Sequence, residues 1–217
     1  MSEVFLSRRA GAPLLEHLIA RGHTPRLVED DGRFGKGLES HADLRLCAVD
    51  GKAVFFEGEP LPRYPENAAF CAVVLDGFLI HRLDITAPAL RERCRELGLR
   101  ELHVRQGYTK CSCVLVDGRS LITSDPGIYA VLSKVPELRV LKIREGAVRL
   151  PGFDTGFIGG ASGRVGDEMV FNGDLSSHPD FGSICDFIVS RGLRVQFFPD
   201  YELTDIGSII EIRRNSV

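Results

Sequence analysis

Three stretches of the chain share one pattern of apolar and polar positions. Residues 44–56 (LRLCAVDGKAVFF), 70–81 (FCAVVLDGFLIH) and 111–123 (CSCVLVDGRSLIT) each run apolar, then an Asp-Gly pair, then apolar again. Asp-Gly between apolar runs predicts a hairpin, because a type I′ turn needs positive φ at both central residues. A fourth hairpin fits 156–172 (GFIGGASGRVGDEMVFN), turning near Gly166-Asp167. A fifth begins in 203–214 (LTDIGSIIEIRR), with a second strand that is short or missing.

The pattern after the hairpins also recurs, with its apolar period changing from that of a strand to that of a helix. Residues 124–135 predict a helix with Asp125 as N-cap and Pro126 at its first position. Residues 138–143 then predict a strand. In 176–192, Phe181, Ile184, Cys185 and Ile188 share one helix face that ends at Gly192, and 193–198 follows as a strand. The segments 86–98 and 99–104 form a third helix–strand copy. Segments 12–22 and 24–29 form a fourth, with no hairpin in front.

The repeated unit is therefore hairpin, helix, strand, at intervals of roughly 40–55 residues. The N-terminal helix and strand lack a hairpin, and the C-terminal hairpin lacks a helix and strand. Joined in space, the two ends complete one unit and close a ring without an exposed sheet edge between them; the alternative is an open α/β sandwich. No linker divides the chain, so residues 1–217 are read as one domain. The polar, glycine-rich stretch 29–41 is expected at the surface, over a site. The proline-rich stretch 57–67 takes the place of a helix.

Composition narrows the function classes. Apolar residues make up 44% and charged residues 26%, the balance of an ordinary globular protein. A net charge of −3 with no long run of one sign gives no electrostatic support for nucleic-acid binding. No apolar stretch reaches the roughly 20 residues that span a bilayer, so no membrane partner is expected. The N-terminus sets arginines around a short helical pattern and lacks the apolar core of a signal peptide. The expected compartment is the cytoplasm. The six cysteines show no C-x-x-C spacing and no paired ligand pattern, so they are read as small buried apolar residues rather than disulfides or a zinc site. No cofactor is expected, and the oligomeric state is not readable.

The run GFDTGFIGGASGRVGDEMVFNGD (152–174) has seven glycines but lacks the spacing of a phosphate loop and enters a hairpin rather than a helix. Compared with the other hairpins, small residues replace its first strand. This suggests the wall of a cavity framed by Asp154 and Asp174.

Several strings carry a resemblance: QGYTKCSCVLVDGRSLITSD (106–125), GFIGGASG (156–163), FNGDLSSHPD (171–180) and YELTDIGSI (201–209). With five ββαβ-like units, the chain resembles an uncharacterised bacterial pentein-like family, from His41 onward. The resemblance implies an α/β fold: a pentein-like five-bladed α/β propeller of pseudo-repeated ββαβ units. That is the fold of guanidino-modifying enzymes such as arginine deiminases, dimethylarginine dimethylaminohydrolases and amidinotransferases, and of a non-catalytic ribosome anti-association factor. In the catalytic members a cysteine in the last hairpin attacks the guanidinium carbon, a histidine acts as acid and base, and carboxylates grip the guanidinium.

The last hairpin here has no cysteine; Asp205 and Ser208 stand near that place. Cys111 becomes the candidate nucleophile, with Lys110 beside it to lower its pKa; the plain alternative is that Cys111 and Cys113 pack under the sheet. His178 and His41 are the candidate acid–base groups. Asp154, Asp174 and Asp205 are the candidate guanidinium-binding carboxylates, with Asn172 nearby and Asp43 placed to orient His41 or bind a cation. Three readings follow. The first is a binder of a small cationic guanidino or amidino compound in a central acidic channel, with cysteine-dependent hydrolysis or amidino transfer. The second is a non-catalytic pentein-fold binding protein. The third is metal binding by the aspartates and His178.

Overall fold

A computed structural model describes residues 2–55 and 63–213, and the hairpin pattern organises them into five small sheets. The chain is mixed α/β, with four α-helices among the described residues. Three sheets repeat one plan. β5 (Val73–Leu75) and β6 (Phe78–His81) form a hairpin; α2 (Pro88–Glu96) follows; β7 (Arg100–His103) then pairs parallel to β6. β8 (Cys113–Leu115), β9 (Ser120–Thr123), α3 (Pro126–Leu132) and β10 (Arg139–Lys142) repeat it. So do β11 (Ser162–Val165), β12 (Glu168–Phe171), α4 (Phe181–Val189) and β13 (Arg194–Gln196). β3 (Leu46–Val49) and β4 (Lys52–Phe55) form a hairpin alone.

The remaining sheet is built from both ends of the chain. β1 (Ser2–Ser7), α1 (Ala12–Ala20) and β2 (Thr24–Val28) supply the parallel part, and β14 (Ile210–Arg213) pairs antiparallel to β1. This corrects the predicted fifth hairpin. Residues 203–209 form no strand, and the partner of β14 is β1. The helix of 176–192 is also shorter than its pattern. A single 3-10 turn occupies Leu175–Ser177, and α4 starts only at Phe181. Positive φ at both turn residues is found at Asp50-Gly51 alone; Asp76 and Asp117 lie outside that region, so their turns are not type I′. Of the predicted segments, residue 56, residues 57–62 and residue 214 lie outside the described residues.

Helix placement follows burial. Asp125 caps α3 by accepting from the Ile128 N–H at 2.8 Å. α4 turns Ile184 and Ile188 into a core shared with Met169, Phe171 and Val114. Fully burying each such side chain contributes about 1.5–3 kcal/mol. α1 turns Leu14 and Leu18 against Val165 and Val170 of the neighbouring sheet. No helix among the described residues is long and apolar enough to cross a membrane.

The first strands of the sheets meet one another. β14 touches β3 and β11, β3 touches β5, and β11 touches β8. Between the β5 and β8 sheets, Lys110 N–H donates to the Cys71 carbonyl and Asp76 N–H to the Gly118 carbonyl, both at 2.9 Å. Segments leading into these strands are thereby gathered together, and they carry most of the chemistry.

Candidate functional site

Four such segments build the site. His41 precedes a 3-10 turn, Ala42–Leu44, that carries Asp43 into β3. Cys111 lies in the turn before β8, the glycine run leads into β11, and Asp205 and Ser208 lie before β14. Backbone bonds tie them. Asp43 N–H donates to the Gly207 carbonyl at 3.1 Å, Gly160 N–H to Cys111 at 2.8 Å, and Ser208 N–H to Gly160 at 2.8 Å.

His41, Asp43, Cys111, Asp205 and Ser208 are all buried, and Lys110 beside them is half-buried. The Cys111 thiol donates to Asp43 Oδ2 at 2.8 Å, and the Ser208 hydroxyl donates to the same oxygen at 2.6 Å. Lys110 Nζ donates to Ser208 Oγ at 3.1 Å. Asp205 accepts from two N–H groups, Phe157 on Oδ2 and Gly207 on Oδ1, each at 2.9 Å. His41 Nε2 stands 4.0 Å from Asp205 Oδ1. Donor atoms of His41, Cys111 and Asp205 lie within 4.8 Å of one another, as do those of Asp43, Cys71 and Cys111. Two buried atoms, His41 Nδ1 and Asp43 Oδ1, have no hydrogen-bond partner. Ser208 holds a φ of 72°, a left-handed conformation rare for a residue other than glycine and typical of functional sites.

Burial sets the charge states. It raises Asp205 to about 6, against the two N–H donors and Lys110, which lower it. It lowers His41, so the imidazole is neutral at pH 7. It pushes the Cys111 thiol well above its ordinary value, helped by Cys71 and Asp43. This corrects the expected role of Lys110. Its ammonium serves Ser208, and the Cys111 thiol is protonated rather than poised as thiolate.

His41, Cys111 and Asp205 open onto one cavity of about 390 Å3. Its walls are Tyr64, Tyr108, Phe153 and Phe157, with Leu38 and Leu150. Tyr108 packs between Tyr64 (ring centroids 5.1 Å apart) and Phe157 (6.5 Å). Hydrophobic periodicity did not mark these aromatics, since they lie in irregular segments; closeness to Cys111 in QGYTKC signals Tyr108, the glycine run signals Phe153 and Phe157, and nothing local signals Tyr64.

The other predicted residues lie elsewhere. His178 accepts from the Asp180 N–H at 3.0 Å, beside the Arg144–Asp180 ion pair, and does not line this cavity. Asp154 and Asp174 line a separate recess of about 600 Å3 with Arg149, Tyr201 and Glu202. Asp174 also accepts from the Ser176 N–H at 2.9 Å, the turn-forming role common for aspartate. Asn172 is a buried tie: its Oδ1 accepts from Gly11 N–H (3.1 Å) and the Tyr201 hydroxyl (3.2 Å), and its Nδ2 donates to the Thr204 carbonyl (3.0 Å). Of the predicted set, the structure therefore brings together Cys111, His41, Asp43, Asp205 and Lys110.

The glycines do not open space, as their small size suggested. A Cβ on Gly159 would lie 2.6 Å from the Cys111 carbonyl oxygen and 2.5 Å from that of Lys110. One on Gly160 would lie 2.6 Å from Asp205 Oδ2. These residues let the strand-leading segments pack backbone to backbone, and what the run contributes to the cavity wall is Phe153, Thr155 and Phe157.

The model of a family of unknown function, DUF6873, matches residues 57–210. The chain belongs to this family. The DUF6873 match includes Cys111, Asp205, Ser208 and the aromatic walls, while His41 and Asp43 precede it. No curated protein and no solved structure matches this DUF6873 chain.

Proposed function

We propose that the protein is a pentein-like α/β propeller that binds a small guanidino or amidino cation in the cavity floored by His41, Cys111 and Asp205. The five small sheets, the first-strand contacts of β14 with β3 and β11, of β3 with β5 and of β11 with β8, and the two backbone bonds between the β5 and β8 sheets support the fold reading. The observation that carries the ligand reading is a buried carboxylate, a thiol and an imidazole meeting at the floor of one aromatic-walled cavity. A planar cation suits it. Asp205 keeps unused lone pairs for bidentate contact, and aromatic faces attract a cation within about 6 Å of their centroids. Buried free thiols such as Cys47, Cys71 and Cys113 suit a reducing compartment, in keeping with the cytoplasm.

The chemistry that fits is amidino transfer to Cys111. The S–H bond breaks and an S–C bond forms to the guanidinium carbon. The thiol proton, held first by Asp43, is relayed by His41 to the nitrogen that leaves as the C–N bond breaks. Water then attacks the resulting thiouronium carbon as the C–S bond breaks; one water proton returns to the Cys111 sulfur, the other leaves through His41 to solvent, and the amidino carbon departs as a urea. One observation favours the second, non-catalytic reading: the resting Cys111 thiol is held neutral by burial and its acidic neighbours. Incubation with methylguanidine or benzamidine tests both. A rise in melting temperature with amine or ammonia release that Cys111→Ala abolishes supports the enzyme. The same rise without release supports the binding protein. No rise at millimolar concentration refutes the ligand class.

A further inference from the structure

We propose that the ligand is a monocation whose remaining group is uncharged and apolar, such as an alkylguanidine or an arylamidine, rather than a guanidino amino acid. This deepens the proposed function and rests on its assignment of Asp205 as the cation's partner.

The argument comes from the walls. Above the Asp205 floor, the described lining is dominated by rings and leucines. Its few polar groups are already engaged. Gln106 Oε1 accepts from the Tyr108 N–H at 3.1 Å, and its Nε2 lies 3.4 Å from Asp125 Oδ2. The Tyr108 hydroxyl donates to Asn67 Oδ1 at 3.1 Å, and the Tyr64 hydroxyl accepts from the Gly107 N–H at 3.2 Å. Thr155 Oγ1 donates to backbone, with the Val148 and Gly156 carbonyls each at 3.2 Å. Lys110 is held by Ser208 and does not line the cavity. A carboxylate carried above the guanidinium would lose water, and no lysine or arginine lines this cavity among the described residues.

An apolar tail would instead cover exposed rings. Tyr64 is 45% exposed and Phe153 48% exposed, and both line this cavity. Large hydrophobic side chains left half open at a concave site are surface that a ligand gains by burying.

The test compares methylguanidine, n-butylguanidine, benzamidine, 4-guanidinobutyrate and arginine by calorimetry on the full chain at pH 7.5. n-Butylguanidine and benzamidine are expected to bind at least about tenfold tighter than 4-guanidinobutyrate and arginine, the ratio that one unpaired buried polar group produces. Phe153→Ala is expected to weaken n-butylguanidine several-fold more than methylguanidine. Equal or tighter binding of arginine or 4-guanidinobutyrate would overturn the proposal while leaving the cation site standing. Failure of every guanidine and amidine, methylguanidine included, would overturn both.

Discussion

Gly159→Ala tests whether the glycine run is a packing seam or a cavity wall. The added Cβ would sit 2.5 Å from the Lys110 carbonyl oxygen and 2.6 Å from that of Cys111, with the Cys113 carbonyl also in contact. Ordinary contact begins near 3.4 Å, so the segments must part by about 1 Å. All three atoms are backbone and cannot rotate aside. Overpacking costs about 1–3 kcal/mol, and this site belongs at the upper end. For a chain of 217 residues, about 3 kcal/mol lowers the melting temperature by roughly 6–12 °C. Gly182→Ala is the matched control, because it sits in α4 and a Cβ there would meet nothing within 4 Å. There the helix gains up to about 1 kcal/mol. Thermal unfolding of the two variants should move in opposite directions. A Gly159→Ala protein as stable as wild type would refute the seam.

Other expectations follow from the same geometry. Asp205 is raised in the folded state from an ordinary carboxylate value to about 6, so it contributes stability at low pH that is lost as pH rises through about 6. Two units correspond to about 3 kcal/mol as an order of magnitude. His41 titrates with the opposite sign, so the readout is the difference: urea midpoints of Asp205→Asn should rise relative to wild type between pH 4 and 7. Cation binding should strengthen over the same interval, as the carboxylate ionises, and titration calorimetry at pH 5 and 7.5 would reveal it. His81 is a core histidine bonded to Thr86 Oγ1 and the Gly107 carbonyl, both at 2.8 Å. His81→Phe should cost about 1–3 kcal/mol in urea unfolding, through the partners it strands, without altering ligand selectivity. Asp125→Ala should cost about 1 kcal/mol by removing the α3 cap, again read by urea midpoint.

The local elements were legible because their signals are local. Asp-Gly pairs between apolar runs marked three hairpins, and the cap at Asp125 marked the start of α3. β1 was not read, although its buried positions largely alternate, because Val4, Phe5 and Leu6 are successive apolar residues and its antiparallel partner β14 lies over 200 positions away. The site divided in the same way. Cys111, His41 and Asp205 were found from residue chemistry near strand starts. His178, Asp154 and Asp174 carried the same chemistry in segments that lead elsewhere, and only the packing of first strands separates the two groups. The aromatic walls had no periodic signature to read.

The pairing of β1 with β14 has a consequence for how the chain is made. During synthesis β1, α1 and β2 emerge first, yet their sheet stays incomplete until residues 210–213 emerge. The four intervening sheets draw on nearby sequence and can form as they appear. Asp205 and Ser208 arrive just before that last strand, so the cavity floor is assembled in the same late step that joins the ends. A nascent chain halted at residue 200 would hold Cys111 and His41 without the carboxylate that meets them, folded in parts and with the cavity floor incomplete.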